Sequence, residues 1–104
     1  MKPVILSADG PLTVYMVPDE VADNLLDYCK EFCNKWLPNS PDAAKYRRPS
    51  SDGRFVLCYS DADFIEYLNT YIFPDQPSRR LPGLVVRWIE ELPRKCRDLP
   101  HFNF

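Results

Sequence analysis

Apolar and polar positions alternate first with period two and then with a helical period, and the change falls at Pro18. "PVILS" (3–7) and "LTVYMV" (12–17) read as two strands. In the second, Leu12, Val14 and Met16 face one way and Thr13, Tyr15 and Val17 the other, because successive strand side chains point to opposite faces. Between them "ADGP" holds Asp9-Gly10, a hairpin signal in which Gly10 is expected to supply a positive φ. From Pro18 onward apolar residues recur at 22, 25, 29, 32 and 36, with 21, 26, 28, 33 and 37 widening the stripe. Asp19, Glu20 and Asp23 suit the positive end of a helix dipole. The spacing predicts a helix from about 19 to 37, ended by Pro38.

"NSPDAAKYRRPSSDG" (39–53) reads as loop with one helical turn at 42–46. "RFVLCYS" (54–60) is apolar on both faces, which predicts a central, covered strand. Ser60 with Asp63 forms a capping-box pattern, and Phe64, Ile65, Leu68, Tyr71 and Ile72 give a second helix, about 61–73, closed by Pro74. "GLVVRWI" (83–89) fits a strand joining Leu84, Val86 and Trp88, or a helix joining Val85, Trp88, Ile89 and Leu92. Its β-branched residues and the preceding Pro82-Gly83 favour the strand. "PRKCRDLP" (93–100) fits a short helix with Pro93 at its first position. The expected fold is a single α+β domain over 1–104, with a mixed four-stranded sheet and two main helices in the order β-β-α-β-α-β, plus a short C-terminal extension.

Composition agrees with a folded globule, being 45% apolar and 13% aromatic. The apolar run near the start is only Val4-Ile5-Leu6, too short for a signal segment or a membrane span. A cytoplasmic protein with four reduced thiols, off the membrane, is the expectation. The net charge of −2 conceals segregation: residues 1–44 and 55–75 each carry −4, whereas 45–54 and 76–104 each carry +3.

Candidate chemistry is sparse. Cys29 and Cys33 lie four apart, on the helix face shared with Leu25, Phe32 and Trp36. Cys58, Cys96 and His101 stand singly, without the paired spacing of a zinc site, so no metal and no cofactor is expected and the thiols read as small core residues. A Cys58–His101 dyad rests on residue type alone. Asp61, Asp63 and Glu66 fit helix capping and a solvated face better than acid–base catalysis. Three glycines leave no material for a phosphate loop.

"VPDEVADNLLDYCKEFCNKWL" together with "DFIEYLNTYIFP" resembles segments of small uncharacterised bacterial cytoplasmic proteins that form a domain-of-unknown-function family. The resemblance covers roughly residues 17–75, carries no catalytic motif and leaves "LPRKCRDLPHFNF" outside it. It implies a bacterial cytosolic module and no activity.

The leading expectation is a non-enzymatic protein-interaction module with a protein partner or self-association, as in a homodimer. Unless the two helices sit on opposite faces, a sheet that is apolar on both faces leaves one of them open. The alternative is a nucleic-acid-associated regulator, in which "KYRRP" (45–49), "SRR" (78–80) and "PRKCR" (93–97) gather into one basic patch with Tyr46 as a stacking surface. An overall pI near 5.3 weighs against it. A thiol enzyme is the distant third. The candidate interaction residues are Tyr46, Arg47, Arg48, Arg79, Arg80, Phe102 and Phe104, the last two because a phenylalanine left in water forgoes roughly 1.5–3 kcal/mol of burial.

Overall fold

The computed structural model describes all of residues 1–104. Strands β1 (Lys2–Ser7) and β2 (Leu12–Val17) form an antiparallel hairpin, with Ile5 opposite Val14. The turn is made by Asp9 at φ 55°; Gly10 does not take a positive φ, so the residue that supplies the left-handed conformation is one earlier than the dipeptide signal suggested. Asp tolerates that region because its short side chain bonds locally, and here its turn is clamped from outside by Asn103.

The first helical arm runs as α1 (Asp19–Asp23), α2 (Leu25–Glu31), a wide π turn (Phe32–Trp36) and α3 (Leu37–Asn39). Asn24 breaks it at φ −133°, its amide donating to the Glu20 carbonyl, which is the local bonding that makes Asn a poor helix-interior residue. Pro38 does not stop the arm. A proline inside a helix lacks a donor and crowds the carbonyl one turn back, and the wider turn just before it, with the Leu37 N–H on the Phe32 carbonyl, gives the room. A 3-10 turn (Pro41–Tyr46) follows, capped by the Ser40 hydroxyl on the Asp42 N–H, and it matches the helical turn expected there.

β3 (Arg47–Pro49) and β4 (Phe55–Leu57) then form a hairpin of their own, outside the main sheet. This corrects the reading of 54–60 as a central, covered strand: Phe55 and Val56 are 52% and 53% exposed. Two-sided apolarity signals burial only where two layers are available to cover the strand, and β4 meets the core only through Leu57. The second helix is α4 (Asp61–Tyr67), continued by a π turn (Leu68–Ile72). The Asp63 carboxylate takes the Ser60 backbone N–H at 2.8 Å, completing the capping box. Tyr15 Oη donates to Asp61 at 2.8 Å and ties β2 to the same helix start. At the far end the Asn69 amide clamps the Ser78 backbone, donating to its carbonyl at 3.0 Å and accepting its N–H at 2.6 Å, and so sets the entry to β5.

β5 (Arg79–Val86) pairs antiparallel with β2, with an irregular step between Thr13 and Tyr15. The strand reading of "GLVVRWI" therefore holds as far as Val86. β6 (His101–Asn103) pairs in parallel with β1, and the mixed four-stranded sheet has the order β5-β2-β1-β6. The fold class is α+β, as the pattern indicated, but the fourth strand is 101–103 rather than 54–60.

Both helices lie on one face of this sheet. Val4, Leu6, Tyr15 and Val17 meet Val21, Leu25, Cys29, Phe32, Leu37, Phe64 and Leu68 there in one core. The other face is not open. The chain from Arg87 to Pro100 folds back beneath it, with 3-10 turns at Ile89–Glu91 and Arg94–Cys96, and Leu92 and Cys96 pack on Ile5 and Val14. Arg97 holds this strap closed by donating to the Leu92 and Glu90 carbonyls. The uncovered face that motivated self-association is thus already occupied by the chain itself.

Candidate functional site

Parallel pairing of β6 with β1 brings the ends of both strands together beside the β1–β2 turn. Residues that alternate away from the helices meet there. Leu6 lies opposite Phe102 on the helix side, so Ser7 and Asn103 project to the other side. Ser7 Oγ donates to Asn103 Oδ1 at 2.9 Å, the same oxygen accepts the Asp9 N–H at 2.8 Å, and Asn103 Nδ2 returns a bond to Asp9 Oδ1 at 2.9 Å. His101 Nε2 stands 3.5 Å from Ser7 Oγ. With Gly10, Pro11, Leu12, Arg87 and Trp88 these residues line an open cleft of about 620 Å³. Trp88 is 67% exposed.

The set contains serine, histidine and a carboxylate, but it is not assembled as a nucleophilic triad. Ser7 is buried, and its proton is directed to an amide oxygen. A nucleophile must present its oxygen to substrate with the base taking the proton. The network instead fixes the geometry of the cleft wall. What remains accessible is an indole, the exposed His101, the exposed Asp9 carboxylate and the Arg87 side chain, which makes no ion pair.

The residues singled out from sequence do not converge. Tyr46 is buried in the helix-side core, so it is no open stacking surface. Arg47 Nη1 donates to the Leu37 carbonyl at 2.9 Å and serves the end of the first helical arm. Arg48 is exposed on the small hairpin, and Arg79 and Arg80 are exposed on the edge strand β5. Cys96, from "PRKCR", packs on the opposite sheet face from Tyr46, so the three basic segments do not form one patch. Phe102 and Phe104 pack on their own core and are half-buried there, the Phe104 ring 5.3 Å from Phe64 and 5.9 Å from Phe32. Asn103 between them points away, as alternation required, and its role as a clamp had no local signal because its partners lie more than ninety positions earlier.

The groups weighed for catalysis are engaged elsewhere. Asp61 accepts from Tyr15, Asp63 caps its helix, and Glu66 meets Lys45 at 3.7 Å. Cys58 bonds through its backbone to Tyr46, while His101 lies in a cleft that no cysteine lines. Cys29 is fully buried, and burial raises its thiol pKa far above the usual range. Burial also raises the Cys33 pKa, offset in part by its bond to Tyr59 Oη at 3.6 Å. Because the thiolate is the reactive form, a thiol reagent at neutral pH should label exposed Cys58 rapidly and Cys29 only on unfolding. Mass-mapped labelling that found Cys29 among the fast sites would contradict this packing.

No family model, curated protein or solved structure matches this chain. The class it defines is therefore stated by topology: a mixed sheet with helices on one face, a strap on the other, and a cleft where the parallel pair ends. No helix is long and apolar enough to cross a membrane.

Proposed function

We propose that this chain is a small, non-enzymatic protein-interaction module of the cytoplasm that takes an acidic segment of a partner protein in the Ser7–Trp88–Asn103 cleft. The observation that carries this reading is Trp88, 67% exposed at the cleft beside an arginine that makes no ion pair. Trp and Arg dominate binding energy at protein interfaces, because a large rigid ring and a planar cation gain most when desolvated. Arg87 is the cleft's one arginine and makes no ion pair, so an acidic group on the partner is its complement. The Asp9 carboxylate in the wall already accepts from the Asn103 amide, which moderates its opposition to such a partner.

Strand addition at the sheet edge is the less suitable mode. β5 offers Arg79, Arg80 and Pro82 along its free edge, the charged and donor-less residues that blunt edges against pairing. β6 is only three residues long. Selection of random peptides on the immobilised chain tests the proposal. Acidic sequences should be enriched, Trp88→Ala should abolish the enrichment, and Arg87→Glu should shift the preference away from acidic sequences. Identical enrichment on Trp88→Ala would defeat the reading. Tight binding of single-stranded oligonucleotides through the same cleft, falling steeply with salt, would replace it with nucleic-acid recognition.

A further inference from the structure

The cleft beside the β1–β2 turn carries no net charge while its histidine is neutral. Among its lining residues Arg87 brings a positive charge and Asp9 a negative one, and neither makes an ion pair. The third ionisable lining residue is His101, exposed on β6. It is the only histidine of the chain. The N-terminal ammonium, the other group that titrates near neutrality, is paired with Asp19 at 2.8 Å and does not line the cleft. The other charged groups nearby are turned elsewhere. Glu91 Oε2 accepts the Arg87 backbone N–H at 3.1 Å, and Arg97 donates to the Leu92 and Glu90 carbonyls of the strap. Asp98 and the Phe104 carboxylate, nearest to His101 along the chain, do not line the cleft.

We propose that His101 is a pH-dependent switch of partner affinity: once protonated, it turns a neutral lining into a cationic one, and the acidic segment is held more tightly. The inference rests on the reading of this cleft as the site of an acidic segment. An imidazole changes charge between about pH 5 and 8. A neutral ring donates from one nitrogen and a charged ring from both. His101 Nε2 stands 3.5 Å from Ser7 Oγ, whose own proton goes to Asn103, so the serine oxygen presents a lone pair on that side. The second N–H, on Nδ1, meets no acceptor in the chain and is left for a partner's carboxylate. Pairing of Ile5 with His101 and the Asn103 clamp on Ser7 and Asp9 fix the backbone beneath the ring, so the charge arises at a set place in the wall. Because the ring is exposed, water screens that charge, and the gain is about threefold to tenfold in affinity. Protonation and binding favour each other. By reciprocity the partner raises the midpoint of His101's own titration by the logarithm of the same ratio.

The test uses the full chain and an acidic peptide recovered by the selection above. The peptide is blocked at both ends, so that its only charges are carboxylates that stay ionised above about pH 6. Its Kd is read from Trp88 fluorescence at about pH 8 and about pH 6, and the His101 ring-proton resonance is followed through the same range with and without peptide. Binding should tighten about threefold to tenfold at the lower pH, and the resonance midpoint should rise when peptide is present. His101→Gln, which keeps a donor and loses the charge, should bind equally at both pH values. Arg87→Gln should weaken binding at both and keep the pH ratio. Equal affinity at the two pH values, an unmoved midpoint, or a pH ratio that survives in His101→Gln would overturn this inference while the Trp88 response leaves the reading of the cleft standing. No Trp88 response at either pH would overturn both.

Discussion

Replacing Phe32 by alanine is expected to cost about 3–5 kcal/mol, the usual range for removing a fully buried phenylalanine. Phe32 has no exposed surface, and its ring lies between 5.0 and 5.9 Å from those of Trp36, Tyr59, Phe64, Tyr67 and Phe104. These five come from the first helical arm, the segment before α4, α4 itself and the residue after β6. One side chain therefore joins four parts of the chain, and the hole left by alanine cannot close without moving all of them. Against a total stability of roughly 5–15 kcal/mol for a single domain, the loss is a large fraction. Urea denaturation should show a much lower midpoint at an unchanged slope, because the surface exposed on unfolding hardly changes. A loss below about 1 kcal/mol would mean that the ring is not the centre of this core.

Deleting residues 101–104 should lower stability by about 3 kcal/mol or more, from two half-buried phenylalanines at roughly 1.5–3 kcal/mol each for full burial, together with lost pairing. The deletion removes β6 from the sheet, the bonds from Asn103 to Ser7 and Asp9, and the Phe104 N–H on the Ser7 carbonyl at 2.8 Å. Because the two rings dock on their own chain, the fall should be independent of protein concentration. A concentration-dependent loss would instead place these rings in a neighbouring subunit. Unchanged stability would mean that β6 is not held.

The helices, the first hairpin and the strand at β5 were legible because each is a local pattern. Apolar spacing, Pro18 and the Ser60–Asp63 capping box act within a few residues. The sheet's composition was not legible in the same way. "RFVLCYS" has a stronger strand pattern than "HFNF", yet the latter occupies the fourth position. What decides is the path of residues 87–100, which carries the chain under the second face and delivers it parallel to β1. Leu92 and Cys96 are the anchors of that path, and neither belongs to a regular element that periodicity would reveal.

The candidate site followed the same division. The arginines stood out because charge is visible in sequence, but most of them lie apart, on the hairpin, the edge strand and the strap. Strand alternation places Trp88 in one apolar row with Leu84 and Val86. Those two are packed on the second face, whereas the strand ends at Val86 and the tryptophan stands in the cleft. Tyr46 was singled out for its neighbours Arg47 and Arg48. It lies instead in the helix-side core, its ring 6.0 Å from that of Trp36.

The central claim concerns where a partner binds, and a two-dimensional amide spectrum of the chain titrated with a selected acidic peptide tests it most directly. The Trp88 indole N–H and the backbone amides of Gly10, Arg87 and His101 should shift together, while the Trp36 indole and the β3–β4 hairpin stay in place. Shifts centred on Phe55 and Val56, with the Trp88 indole unmoved, would contradict it.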